Sequence, residues 1–515
     1  MIDMIVQKEK SYREVLKKDI LGNKPLLLMA IFVGVLCFGF TITNFSIGID
    51  DAARSYYLYT DCEGNMIQQG RLLHVALNAL THSVQFIPFF TEFVGAALYV
   101  LSALLLLALF QYVTNGKLSD GALAVFAGVY ISSSILAEKY IYHLDVLATM
   151  VSYCCNALAL LYSYRFIKEK KWKCFLAAVP LLMGAIASYE SYIFLFISGV
   201  FALLILEMAV NREEKTFRAL LTEGLQYAGI LLAAAVVYYG LVALLQVMTG
   251  QFGTFTRTTG RPEGMGLMEF LGYATRQFVQ VFEDAIRNRY LPVLVFCLCS
   301  LICLGLSGLL GWKRKSVWVS LCLLALWMCN FGIHYAAGAF LYRAAQTFCF
   351  FCGFVLMLLV ESLDAPVLKK LCCTAVALLV FVQAADMNRW FYNDYVRYQK
   401  EAYAIHAMAN EILGSCDVEK PVVFTNAPYG GYLDTGLYSG RQVNGNSLLY
   451  WCGYAFQDPT QPFVKEVFRM HGYDFIQSPS EEQFEKACLE AEGMPVWPQK
   501  GSIQEFDEFI VVNFG

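Results

Sequence analysis

The chain has 515 residues, 58% of them hydrophobic and only 16% charged, with a mean hydropathy of +0.51; a soluble protein carries roughly 25% charge. This composition excludes a soluble globular protein and leaves room for many membrane spans plus one small aqueous domain. A net charge of −4 is too slight to imply a nucleic-acid partner, and no A-x-A site follows the first apolar run, so that run is expected to stay as an anchor.

Eleven apolar runs read as spans, at 25–44, 88–113, 121–137, 144–164, 174–188, 193–210, 225–247, 291–311, 317–333, 344–360 and 371–388. The first, PLLLMAIFVGVLCFGFTITN, is about 30 Å long as a helix, enough to cross a bilayer. The fifth and sixth form one apolar stretch, divided here by a tight turn at Ser188-Tyr189-Glu190-Ser191. With the N-terminus inside, the inner segments hold 20 of the 38 lysines and arginines and the outer loops nine, so the C-terminal part is expected outside. The fold class is therefore a mainly α, polytopic membrane protein with about eleven transmembrane helices (residues 1–388). A small extracytoplasmic α/β domain follows (389–515). Of the 17 cysteines most lie in apolar runs, where they act as small hydrophobes. Cys62, Cys416, Cys452 and Cys488 fall in aqueous segments and show no zinc spacing.

Two outer loops are long, at 45–87 and 248–290. In the first, His74, Asn78, Thr81, His82 and Gln85 share one face of a helix expected over 71–86. The second begins with a Gly/Thr-rich coil, GQFGTFTRTTGRPEG, and continues as a helix with Glu269, Arg276, Gln280, Glu283 and Arg287 along one side; the coil suits a substrate-covering loop. Beyond Met387, Phe391, Tyr395, Tyr398, Ala402, Ile405, Ala409 and Ile412 step by three and four as an amphipathic helix, and 421–425 and 509–513 read as strands.

Asp50 and Asp51 end the first span, and charge that close to hydrocarbon usually has a function. Further ionisable residues share the outer face: Arg54, Arg71, Glu138, Lys139, His143, Asp145, Glu190, His334 and Arg343. Each alone has a packing explanation, such as snorkelling for Arg343 or helix pairing for Glu190. Together, on one side of the membrane, they argue for an outward-facing polar site. The chain has no G-x-G-x-x-G, P-loop, H-E-x-x-H or G-x-S-x-G motif, and neither a cofactor nor a divalent metal is indicated. A carboxylate base beside arginines at the lipid boundary fits sugar transfer from a polyprenyl-phosphate donor. The phosphate leaves without a general acid once cations stabilise it, and only a base for the acceptor hydroxyl is then needed.

The stretch FSIGIDDAARSYY followed by QGRLLHVALNAL resembles the start of the bacterial serotype-converting O-antigen glucosyltransferases (Gtr type II), within the GT-C class of membrane glycosyltransferases. More loosely, the resemblance extends to the order of spans, SYESYIFLF at 188–196 and the helix after the last span. Leu72 stands where the family has an aromatic residue, and Glu190 where an amide is expected. The resemblance implies inverting transfer of glucose from undecaprenyl phosphate to a surface glycan, at the outer face of a bacterial plasma membrane. It makes Asp50 the base. Adjacent side chains diverge by about 100° in a helix, so Asp51 is assigned to orienting Arg54 or the acceptor. Arg54, Arg71, Lys139 and Arg343 are the expected phosphate ligands, and Glu138, His143, Asp145 and Glu190 the substrate contacts. The alternatives are a GT-C enzyme, polymerase or ligase with another lipid-linked donor, a flippase or transporter of lipid-linked sugars, and a membrane anchor for the C-terminal domain. Transporters usually show repeats and midplane polar residues, and neither is evident here.

Overall fold

The computed structural model describes residues 11–48, 51, 66–81, 87–251, 265–338, 340, 342–425 and 459–514. A helix coincides with each of the eleven predicted spans. Eight are long and apolar enough to cross a membrane. Trp172–Ile186, Val317–Met328 and Thr347–Ser362 are shorter, at 15, 12 and 16 residues. Local chemistry sets the boundaries. Lys24–Thr43 starts where the Asn23 side chain accepts from Leu26 N and Pro25 occupies the first turn. Phe217–Thr249 starts on a Thr216 cap and ends at Gly250, with φ of 69°, the left-handed geometry that suits glycine.

Phe90–Val113, Asp120–Ser132 and Thr347–Ser362 form the centre of the bundle and bury residues on all sides. Tyr99 and Tyr130 stack there with centroids 4.8 Å apart, and the Tyr99 hydroxyl donates to Tyr130 O at 2.7 Å, which satisfies a polar group far from water. At the rim, Phe217–Thr249 exposes Leu225, Leu232, Val236 and Val247, a surface suited to lipid and not to water.

The third predicted span does not run unbroken to residue 137. Its helix stops at Ser132, Ser133 is extended, and a 3₁₀ turn (Ser134–Leu136) leads into one helical turn (Ala137–Tyr140) before the next helix begins at His143. Irregular backbone at this depth survives only where protein covers it, and Ser132 to Ala137 are buried.

The expected division at residue 388 falls inside a helix. Pro366–Ser415 is continuous over 50 residues, because no glycine or proline interrupts it between Val367 and Leu413. Its two halves serve different cores: Met387, Trp390 and Phe391 pack into the bundle, whereas Ala404, Ile405, Met408, Ala409 and Ile412 pack into the C-terminal domain. That domain holds a three-stranded sheet of order β1-β3-β2, with β1 (Val422–Thr425) parallel to β3 (Ile510–Asn513) and β2 (Ile503–Glu505) antiparallel to it. Alternation along the strands puts Val422, Phe424, Ile510 and Val512 against the long helix, and Val423 and Val511 against Ala487 on the helix Glu481–Glu490 and Ala491 at its C-terminal cap.

His471, in this domain, has its Nδ1 2.7 Å from Val467 O, while Nε2 is buried with no partner among the described residues. Burial holds its pKa below the usual 6.5. The folded state therefore favours the neutral ring, so its contribution is intact above pH 6.5 and is lost as pH falls below that value. Thermal melts of the purified chain should show stability declining from pH 7 to pH 5. In His471→Asn, which keeps a donor for Val467 O, that decline should be shallower; an unchanged slope would clear His471 of this role.

Candidate active site

Residues 46–48, 51, 71, 92, 137–145, 188–191 and 342–346 meet at one end of the bundle. Asp51 is the pin. It is 1% exposed; Oδ1 accepts from Leu144 N at 3.0 Å, and Oδ2 accepts from His143 N at 3.1 Å and Gly48 N at 3.0 Å. A carboxylate on the free N–H groups at the start of His143–Glu169 is a charge-assisted cap from a distant part of the chain, favoured by the helix dipole. Gly48 makes the approach feasible, since a Cβ there would lie 2.6 Å from Ile141 O and 3.1 Å from Asp51 Oδ2. Asp51 thus caps this helix, while its expected role toward Arg54 involves a residue outside the described ones. Asp50 and Arg54 lie outside the described residues, as do His82 and Gln85.

His143 is also tied into protein. Its Nδ1 lies 2.7 Å from Glu92 Oε1 and its Nε2 3.2 Å from Ser46 Oγ. The Ser46 hydroxyl donates to Asp394 Oδ2 at 2.6 Å, so Nε2 must carry a proton to complete its contact. Asp394 Oδ1 accepts from Arg397 Nε and Nη2 at 3.0 and 2.9 Å, and Arg397 also donates to Glu401 and to Ile47 O. This buried chain fastens the long helix to the segment after the first span. Asp145 Oδ1 lies 3.6 Å from His74 Nε2, on the helix Leu72–Thr81, so it links that surface helix to the bundle. His334 is buried, with its ring stacked 4.0 Å from that of Phe340.

The predicted cations behave differently. Lys139 Nζ lies 4.1 Å and Arg71 Cζ 5.5 Å from the centroid of the Tyr189 ring, and Arg343 Cζ lies 5.8 Å from the Tyr142 ring, all within cation–π range. The turn carrying Tyr189 is well fastened. Ser188 Oγ meets Ser152 Oγ at 2.7 Å, Ala187 O accepts from Leu73 N at 3.2 Å, and Ser191 Oγ donates to Gln346 Oε1 at 2.6 Å. Gln346 Nε2 in turn donates to Arg343 O at 2.9 Å. Glu138, half-buried beside Lys139, feels the charge of Arg343, and Glu190 is exposed next to Tyr189.

Arg71, Lys139 and Arg343, far apart in sequence, are thus gathered at one end, with Glu138 among them. His143, Asp145 and Asp51 instead hold the surrounding helices together. Sequence reasoning missed Tyr142 and Tyr189, the rings under the cations, and Glu92, Ser46, Asp394 and Arg397. Glu92 could have been found: it is the single charged residue in a 24-residue, largely apolar helix, the same signal that singled out Asp50 and Asp51.

Such an arrangement can hold an anion beside a hydrophobic boundary. No curated protein and no solved structure matches the chain. A family model, Glucosyl transferase GtrII, matches residues 39–360, which include the first-loop motif and every residue of the cation cluster. The chain belongs to the GtrII glucosyl transferase family.

Proposed function

We propose that this membrane glycosyltransferase moves a sugar, glucose by its family, from a polyprenyl-phosphate carrier to a hydroxyl of a surface glycan at the outer membrane face, with inversion. One observation carries the reading: Arg71 and Lys139 converge on Tyr189 while Arg343 stands nearby on Tyr142. Three cations gathered at the lipid boundary suit a ligand with a negative charge of its own. A carrier phosphate at the lipid boundary supplies that charge.

In the step proposed, Asp50 takes the proton of the acceptor hydroxyl, the acceptor oxygen bonds to the anomeric carbon, and the bond from that carbon to the phosphate oxygen breaks. The bonding pair leaves with the polyprenyl phosphate, whose growing charge Arg71, Lys139 and Arg343 stabilise, with Arg54 as a fourth candidate. Asp51 acts as a positioning residue by fixing the chain next to Asp50. Glu138 and Glu190 are assigned to the sugar hydroxyls, and His143 and Asp145 to support of the site from behind.

The test supplies the reconstituted chain with labelled polyprenyl-phosphate-glucose, or with a nucleotide-glucose, together with acceptor glycan. Label should reach the glycan from the lipid donor alone; transfer only from the nucleotide sugar would overturn the reading. In the same assay Arg71→Ala and Lys139→Ala should each lower kcat/KM for the donor by about 100-fold. Tyr189→Leu should cost about 10-fold, the worth of a partly desolvated cation–π contact. Unchanged donor kinetics in all three would assign the cluster to packing.

A further inference from the structure

At the opposite end of the bundle, a recess with about 910 Å³ of empty space opens where helices Phe90–Val113, Tyr192–Ala209 and Leu291–Arg314 end and Pro366–Ser415 begins. Five cations line it, against two carboxylates. Both carboxylates are already engaged: Glu361 Oε2 accepts from Ser119 N and Oγ at 3.1 and 2.8 Å, and Asp364 takes Lys313 at 2.7 Å. Lys117 donates to Asn211 Oδ1 at 3.0 Å. Arg212, Arg314 and Lys369 remain. Among the described residues none of them has an ion pair within 4 Å; Arg314 Nε is buried with no hydrogen-bond partner, and the repulsion between Arg212 and Arg314 is offset only by the more distant Asp364.

Basic residues at this end are expected on general grounds, from the inner-face bias of lysine and arginine and from the negative end of the helix Leu291–Arg314. Neither ground accounts for three unpaired cations from three segments turned into one recess. Lys369 even sits in the first turn of Pro366–Ser415, where the dipole is positive, with only the exposed Asp364, already taken by Lys313, acting on it from before the helix. Lys168, elsewhere at this end, pairs instead with Glu207 at 2.7 Å and with Glu223 at 3.0 Å.

We propose that this recess binds the phosphate headgroup of an anionic membrane lipid through Arg212, Arg314 and Lys369. The floor favours a lipid over free phosphate, because Val210, Leu310 and Leu358 line it with apolar surface, suited to the glycerol and first acyl carbons. Trp312, 82% exposed one turn from the recess, sits as interfacial tryptophans do, at headgroup level. The site is separate from the cation cluster described above and does not depend on the reaction proposed for it.

The full chain is reconstituted into phosphatidylcholine vesicles doped with phosphatidylglycerol, extracted in mild detergent, and its retained lipids counted by native mass spectrometry. The native chain should retain phosphatidylglycerol in preference to phosphatidylcholine. Arg212→Gln with Arg314→Gln should lower that retention by about 25-fold, at roughly fivefold for each charge at a membrane surface. Should that pair fail to fold by thermal melting, Lys369→Gln alone should lose about fivefold. Lys17→Gln with Lys18→Gln, two exposed cations at the same end but outside the recess, should leave retention unchanged. Native-like retention in the recess variants, an equal loss in the Lys17/Lys18 control, or no preference between the two lipids would overturn the proposal. Displacement of phosphatidylglycerol by millimolar inorganic phosphate would overturn the lipid assignment in favour of a soluble anion.

Discussion

Asp50→Asn is expected to abolish sugar transfer, by about 1,000-fold or more, while the purified protein melts as the native chain does. The substitution keeps the side chain's size and removes its capacity to accept a proton. The donor should still bind, because its phosphate is assigned to Arg71, Lys139 and Arg343, so the loss should fall on kcat with the donor KM nearly unchanged. This split separates a base from a ligand of the phosphate, whose removal would raise the donor KM as well. Near-normal turnover in Asp50→Asn would remove the residue from the mechanism and leave the first-loop motif without its proposed chemical role.

The spans were legible because a bilayer imposes a length and a composition that a single sequence must display, and a helix follows each of the eleven predicted runs. The exceptions have identifiable causes. Nothing apolar marks the stop at Ser132; serines break the helix only because the surrounding protein buries the irregular backbone, and that burial is a tertiary fact. Likewise, the long helix Pro366–Ser415 was read as a span plus a separate amphipathic helix, since its hydrophobic period weakens through Ala384-Ala385-Asp386-Met387-Asn388. The buried stripe in fact continues through Asp394, Arg397 and Glu401, charged residues that pair with one another and with Ser46. Hydrophobic periodicity does not register a core face built from ion pairs. At the candidate site the cations were legible one by one from their place at span ends, whereas their shared tyrosine was not, because Arg71 and Lys139 meet Tyr189 only in three dimensions. The cap made by Asp51 was hidden for the same reason: the His143 and Leu144 N–H groups it accepts from lie 92 and 93 residues away.

Asp51→Asn should behave unlike Asp50→Asn, although the chemical change is the same. An amide keeps one oxygen but turns the other position into a donor, while Gly48 N, His143 N and Leu144 N all donate to the Asp51 carboxylate. At least one buried N–H is then left facing another N–H, and the charge at the helix N-terminus is lost. A hydrogen bond to a charged group contributes roughly 1.5–3 kcal/mol and a helix cap about 1 kcal/mol, so a destabilisation of about 3 kcal/mol is expected. Asp51→Ala should cost at least as much. Transfer should fall in both variants together with the melting temperature, because the chain after the first span loses its hold on residues 141–144 as Asp50 loses its fixed neighbour. Gly48→Ala, which would push a Cβ to 2.6 Å from Ile141 O, should reproduce the effect without touching a carboxylate, since it disrupts the same close approach by crowding. If Asp51→Asn instead melts normally and loses only kcat, the cap is dispensable for the fold. The second aspartate then acts on the substrate after all, and the division of labour between the two adjacent carboxylates has to be redrawn.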